Sequence, residues 1–430
     1  MNLRETLTWA QTAGHLMEVA APTSPDLAMG QFIAQHEDRP LLFTNVLGYP
    51  GWRVVAGLAA DRAAFAAALG VAVADLIPTL AAATQNPLAP PVVTEAPCQE
   101  VVIKAAEVDL TQIPLLHHFP FDGGAYVTAG IVVVNDPEDG PNVSYHRLLR
   151  LDARHFAARV VENRGTDAAR KKTKGDLPIA ICIGNSLPVL LAASMSPPKE
   201  VDELAVANAL APTSVVRCKT VPLYVPAEAE LILEGRLTQT FAPEGPFVDL
   251  TETVDFVRQG PIIEIDCITH RRDPLYQALL PGKLEHKLLM GMPKEPTIFA
   301  AVNAVCQCTN VAITPGGTSW LHAVVQIVKQ KPDDGLKAIA AAFKGHGSLK
   351  HVVIVENDIN IYDMAEVEWA IATRFQADRD LVVLKDQPGS SLDPSGTHAP
   401  GQKSLTAKMG LDATIPWGEE RAAFEKISYS

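Results

Sequence analysis

Residues 242–249 read Ala242-Pro243-Glu244-Gly245-Pro246-Phe247-Val248-Asp249, directly after a stretch, 228–240, that predicts a β-strand. Pro243 and Pro246 each restrict a backbone torsion, so the arm leaving that strand is stiff. Stiffness suits side chains that must be held in place, and this arm carries two carboxylates, Glu244 and Asp249. Two acids near a cation have pKa values that are driven apart, one staying ionised while the other holds a proton. The same spacing also fits ordinary acids on a solvated loop.

Around this arm the chain is dense in strand signals. Tyr126 to Asn135 and Ser144 to Leu151 predict a strand pair joined by the turn-forming run Asp136-Pro137-Glu138-Asp139-Gly140-Pro141. Further strands are predicted at 177–183, 214–219 and 261–269. Upstream, the apolar spacing from Leu3 to Leu16 predicts a helix, Pro40 to Val46 a short strand, and 60–69 an alanine-rich helix. Pro87, Pro90, Pro91 and Pro97 mark a linker. Beyond about 300, strands at 322–328, 351–356 and 380–385 alternate with helices near 335–345 and 364–374, the pattern of an α/β domain.

At 430 residues and 47% hydrophobic content the chain can build two or three cored domains. A net charge of −13 argues against nucleic-acid binding, which needs a basic face. A small anionic substrate then requires a local cationic pocket. The cysteines at 98, 182, 218, 267, 306 and 308 lack zinc-ligand spacing and read as reduced thiols of a cytoplasmic protein. Met1-Asn2-Leu3-Arg4-Glu5 does not open a signal peptide. The uncharged stretch 177–198 matches a membrane helix in length, but Pro178, Gly184, Asn185, Pro188, Pro197 and Pro198 interrupt it. It predicts a strand, a turn and a short helix ending near Met195, with no membrane association.

Four other groups carry candidate chemistry. In Asn142-Val143-Ser144-Tyr145-His146-Arg147, a strand arginine can clamp a carboxylate through two hydrogen bonds, or simply line a solvated edge. Strict alternation puts Asn142 and Arg147 on opposite faces, so a shared site requires Asn142 to precede the strand or the strand to bend. Glu203, with Glu200 and Asp202 as equal candidates, can ligate a hard cation or belong to a solvated acidic turn. His286 and Lys294, eight residues apart, share a helical face if one helix carries both, and can bind an anion or lie on a surface. Lys408, beside Met409-Gly410, is a weak phosphate signal.

Taken together and in order, these segments resemble the UbiD family of decarboxylases. The resemblance runs nearly end to end. Its landmarks are Leu42-Phe43-Thr44-Asn45-Val46-Leu47-Gly48-Tyr49-Pro50-Gly51, Val127-Thr128-Ala129-Gly130-Ile131-Val132-Val133, Asn142 to Arg147 and Leu233-Glu234-Gly235. Ala242 to Phe247, Glu366 to Arg374, and Lys408-Met409-Gly410-Leu411-Asp412-Ala413-Thr414 complete them. The resemblance implies a multidomain α+β and α/β fold: an N-terminal α/β region (1–97), a split β-barrel that binds the cofactor (98–298), and a C-terminal α/β oligomerisation domain (299–430). It implies prenylated FMN made by a UbiX-type flavin prenyltransferase, a divalent metal (Mn2+ or Mg2+), and K+ at the cofactor phosphate. A homodimer or a hexamer is the implied assembly.

Carried over residue by residue, Arg147, Glu244 and Asp249 match the catalytic set, with Arg147 holding the substrate carboxylate and Asp249 protonating the product carbon. Asn142, Ser144, Tyr145, Met195 and Lys408 match cofactor-side positions, and Asn142 and Glu203 match metal ligands. Members of the family usually place a histidine ligand twenty-odd residues after the asparagine. Here that stretch reads Val161-Glu162-Asn163-Arg164-Gly165-Thr166, so Asn163 is the substitute the resemblance offers. The expected reaction is decarboxylation of an aromatic or heteroaromatic acid, such as a furan diacid met by His286 and Lys294. The same segment also fits a phosphorylated or phenolic acid. Loss of CO2 from an sp2 carbon needs an organic electron acceptor, which side chains do not supply. The alternatives are a non-catalytic subunit of a multi-subunit carboxylase, which the missing histidine favours, and an FMN oxidoreductase on a split barrel, which needs none of the three catalytic residues.

Overall fold

The computed structural model describes residues 1–399 and 402–427 and divides into two compact units, one ending at Leu289 and one beginning at Met290. The expected mixed α+β and α/β class holds in both.

The first unit is built on a nine-stranded sheet. In spatial order its path runs Tyr126–Val127, Leu148–Arg150, His155–Ala158, Arg258–His270, Leu231–Glu244, Leu177–Ile183, Ile131–Asp136, Gly140–Tyr145, with Val101–Lys104 pairing Arg258–His270. The two longest strands lie side by side and antiparallel, so Glu244 faces Arg258 at the end of the ladder. Leu231, Leu233 and Leu237 alternate on one side of their strand and are fully buried with Ile263 and Ile265 from the neighbour. Gly235 marks a register shift in this pair, and a Cβ there would lie 1.9 Å from the Glu264 carbonyl oxygen. Backbone approaches that close only because glycine has no side chain. Its neighbour Glu234 is fully buried and accepts the N–H groups of Lys219 (2.9 Å) and Thr220 (2.6 Å), which fixes the adjoining turn.

The turn predicted at 136–141 forms between Ile131–Asp136 and Gly140–Tyr145. Asp136 closes it by accepting the N–H groups of Glu138 and Asp139. The strand expected from Ser144 to Leu151 is broken instead. Pairing stops at Tyr145 and resumes at Leu148, which leaves His146 and Arg147 in a bend between strands. The residues of the 177–198 stretch form the strand Leu177–Ile183 and the buried helix Leu187–Ser194, as the interrupting prolines predict. Among the described residues, no single helix is long and apolar enough to cross a membrane. All six cysteines are free thiols.

The second unit carries a five-stranded sheet in the order Gln307–Ile313, His322–Val328, His351–Glu356, Leu405–Asp412, Leu381–Pro388. Its central pairs are parallel, with the helices Asp334–Gly345 and Met364–Arg374 in the connections, as the alternation in the sequence predicts.

Gly235→Ala should destabilise the first unit by about 2 kcal/mol or more, since backbone must move to admit the methyl group. A thermal melt with an unchanged midpoint would show that the sheet yields there freely.

Candidate active site

The bend after Tyr145 lets Arg147 leave the sheet and meet the stiff arm. Its Nε and Nη2 donate to the two oxygens of Glu244 at 2.8 and 2.9 Å, a fork-to-fork pair whose carboxylate is fully buried. Nη2 also donates to Asp255 at 2.9 Å, and Nη1 lies 3.8 Å from Asp249. The guanidinium stands over the Phe247 ring, 4.8 Å from its centroid. The structure therefore gathers Arg147, Glu244 and Asp249 into one cluster. Burial opposes the charge on Arg147, but hydrogen bonds and the charges of Glu244 and Asp255 outweigh it and raise its pKa above the ordinary value.

The arm is anchored at its turn. Gly245 adopts φ +102°, open to glycine alone, and the Pro246 carbonyl accepts the Gly123 N–H at 2.9 Å and the Tyr126 hydroxyl at 3.4 Å. Phe247–Val248 then pairs with Val254–Asp255, and this small hairpin sets Asp255 opposite Phe247. Asp255 accepts from Arg258 at 2.7 Å as well as from Arg147. Burial raises its proton affinity, and the two arginines more than offset this, so its pKa is lowered. Asp255 is a site residue that the sequence reading missed.

His286 belongs to this cluster electrostatically. Its Nδ1 accepts the Gly282 N–H at 3.0 Å, so a neutral ring carries its proton on Nε2. Burial lowers its pKa to about 4 against the opposing charge of Asp249. No single α-helix carries both His286 and Lys294: the α-helix Leu284–Gly291 stops and Met292–Lys294 forms a 3-10 turn at Pro293. Lys294 belongs to the second unit, where it lies near His346. Lys408, also there, sits on the strand Leu405–Asp412 and donates to the Gly347 carbonyl at 2.7 Å.

A second polar group forms on the strand Gly140–Tyr145 and just beyond it. Asn142 Nδ2 lies 3.3 Å from Ser144 Oγ and 3.5 Å from Thr166 Oγ1. His146 Nε2 lies 3.1 Å from Ser144 Oγ and 2.8 Å from Thr166 Oγ1, and its Nδ1 is 3.0 Å from the Arg159 carbonyl oxygen. Glu203, buried at the start of the helix Glu203–Leu210, accepts the Val143 N–H at 2.9 Å. Asn163 takes φ +61°, and its side-chain oxygen accepts from Lys171 at 3.0 Å; the residues beside Asn142 are Gly165 and Thr166. Tyr145 donates to the Leu190 carbonyl at 3.2 Å, tying this strand to the helix that ends at buried Met195.

This donor set suits a hard cation, because it offers amide and hydroxyl oxygens and a buried carboxylate. Burial raises Glu203 to about 7, and a bound cation would restore its charged form. Among the described residues, no three His, Cys, Asp or Glu side chains gather to hold a metal, so an ion here would lean on Asn142 and the hydroxyls.

Comparison with known proteins covers almost the whole chain. Residues 7–84, 91–284 and 287–413 match the N-terminal, Rift-related and C-terminal domains of 3-octaprenyl-4-hydroxybenzoate carboxy-lyase. Anhydromevalonate phosphate decarboxylase of Methanosarcina mazei is 41% identical over 419 residues, 96% of each chain. Among solved structures, the UbiD-class enzyme HmfF from Pelotomaculum thermopropionicum in complex with FMN superposes with a TM-score of 0.94 at 37% identity, covering 99% of this chain and 97% of that one. An evolved dimeric form of HmfF in complex with prFMN gives 0.90 at 36% identity, covering 99% and 96%.

The raised pKa of Glu203 has a defined sign in stability. A carboxyl raised from 4.5 to about 7 on folding stabilises the cation-free protein fully below 4.5, and the contribution is lost as pH climbs through about 7. Glu203→Gln should therefore flatten the fall in denaturation midpoint between those values. Glu285 is raised in the same direction, also to about 7, by burial, so an undiminished fall in Glu203→Gln would assign the effect to it.

Proposed function

As the chain belongs to the UbiD family and is a carboxy-lyase, we propose that it decarboxylates a small unsaturated acid bearing a phosphate, with prenylated FMN as cofactor and Arg147 as the carboxylate clamp. The observation that carries this is the division of the Arg147 fork. Nε and Nη2 are committed to Glu244 and Asp255, while Nη1 points towards Asp249 across 3.8 Å. A substrate carboxylate received at Nη1 then lies beside Asp249.

Prenylated FMN, when bound, supplies the electron sink that loss of CO2 from an unsaturated carbon requires. The resident side chains do the rest. Arg147 orients the carboxylate, and Glu244, fully buried in its paired state, keeps the guanidinium from turning. Asp249 gives its proton to the product carbon once CO2 has left. His286, whose Nδ1 accepts the Gly282 N–H, keeps its proton on Nε2 and feels the charge of Asp249. Asn142, Ser144, Tyr145 and Met195 hold the cofactor in this reading, with Mn2+ or Mg2+ at Asn142 and Glu203 and K+ at the cofactor phosphate. A UbiX-type prenyltransferase supplies the flavin, and the chain works as a homodimer or hexamer.

The phosphate-bearing substrate is favoured over an aromatic or furan acid by one fact. The relative matched over nearly the full length is named as acting on anhydromevalonate phosphate.

The test is co-expression with a flavin prenyltransferase, followed by CO2 release from a panel holding a phosphorylated pentenoic acid, its dephosphorylated form, and furan and dihydroxybenzoic acids. Turnover of the phosphorylated acid alone is expected; preference for a ring acid would overturn the substrate reading. Asp249→Asn should stop deuterium entering the product from heavy water. Arg147→Ala should abolish turnover while the flavin stays bound. Undiminished deuterium incorporation would remove Asp249 from its role.

A further inference from the structure

We infer that Asp122 stands as an un-ionised acid beside His118 beneath the catalytic arm, and that its proton governs how strongly Arg147 draws the substrate carboxylate. Asp122 is thus a positioning residue acting through Arg147, and this rests on the reading above that Arg147 receives that carboxylate. Both side chains of the pair are wholly removed from solvent, and His118 Nδ1 lies 3.8 Å from Asp122 Oδ2. Asp122 Oδ2 accepts the Phe119 N–H at 3.1 Å, while Oδ1 and both ring nitrogens of His118 lack a partner within hydrogen-bond distance.

The pair lies where the arm is fixed. The Asp122 N–H donates to the Phe119 carbonyl at 3.0 Å, and the next residue, Gly123, donates to the Pro246 carbonyl at 2.9 Å. A Cβ on Gly123 would stand 2.5 Å from the Gly245 carbonyl oxygen, so the two segments touch backbone to backbone. The His118 ring meets Phe247 edge to face with centroids 6.4 Å apart, and that same Phe247 ring underlies the Arg147 guanidinium. Asp122 is close enough to feel the charge of Arg147, and Tyr126 feels that of Asp122.

A carboxylate buried with no cation in hydrogen-bond contact takes a proton rather than stay charged. Burial accordingly pushes Asp122 up to about 6, against the Phe119 N–H and the charges of His117 and Arg147. It pushes His118 down to about 3, so the ring is neutral. The charged and titratable groups around the pair are His117, held by Asp26 at 2.8 Å, Tyr126, and Arg147 with Glu244, Asp249 and Asp255. The helix Ala28–Gln35, whose Gly30 packs on the His118 backbone, and residues 279–282 bring none. When Asp122 loses its proton, a further carboxylate joins the three already in the field of Arg147, and an anionic substrate is drawn less strongly. The sign is therefore defined: affinity is full below about 6 and falls as pH climbs through it.

The test is infrared difference spectroscopy of the purified, flavin-loaded protein, wild type minus Asp122→Asn, in steps from about pH 5 to about pH 8. Asparagine keeps an oxygen for the Phe119 N–H but has no titrating proton. The difference should hold the carbonyl band of an un-ionised carboxylic acid at the acid end and lose it as pH climbs through about 6. Over the same range the Kd of wild type for a saturated, unreactive analogue of the acid should rise at least about threefold relative to that of Asp122→Asn. Should Asp122→Asn fail to fold, His118→Phe takes its place, keeping a ring against Phe247; the band should then vanish at a different pH from wild type. A band missing at acid pH, a band that persists to the alkaline end, a Kd ratio flat with pH, or a band unmoved in His118→Phe would each overturn the inference. Turnover measured in parallel separates the two readings. Decarboxylation with the band missing sinks this inference alone, whereas a titrating band and Kd without decarboxylation of any acid sink the proposed function alone.

Discussion

The paired hydrogen bonds between Arg147 and Glu244 are the constraint on which the site depends. Glu244 ends the strand Leu231–Glu244 with its carboxylate wholly removed from solvent, which would be costly without a partner of opposite charge. Removing one partner of a buried pair typically costs about 3–5 kcal/mol, because the other charge is stranded. The sheet, the bend after Tyr145 and the arm beyond Glu244 therefore have to agree in position before the pair can form. Once formed, it fixes the direction of the one guanidinium nitrogen left facing Asp249.

Charge explains the rest of the arrangement. Arg147 and Arg258 contribute two positive charges; Glu244, Asp255 and an ionised Asp249 contribute three negative ones. Asp255 is the counter-charge that lets two arginines share so small a space.

Much of this was legible in the sequence, and for identifiable reasons. The strands at 177–183, 322–328 and 351–356 fall where predicted because continuous apolar runs bounded by turn residues have few other solutions. Arg147, Glu244 and Asp249 were found through their motifs, since stiff Pro/Gly segments keep local order. Asp255 carried no local signal: its partner Arg147 lies 108 residues away, and only the hairpin Phe247–Val248/Val254–Asp255 brings them together. The single helix that would carry both His286 and Lys294 is interrupted at Pro293, a breaker inside a helical pattern. The grouping of His146 with Asn142 and Ser144 was not read from the sequence, because it depends on a bend after Tyr145 that strand alternation does not reveal.

The central claim is that the Arg147 fork, and not its charge alone, receives the substrate carboxylate. It is tested most directly by calorimetric binding of a saturated, unreactive analogue of the acid to flavin-loaded wild type and Arg147→Lys. Lysine keeps the charge but cannot hold Glu244 with two nitrogens while presenting a third. The account predicts affinity lower by roughly tenfold or more in Arg147→Lys. Equal affinity in the two proteins would contradict it.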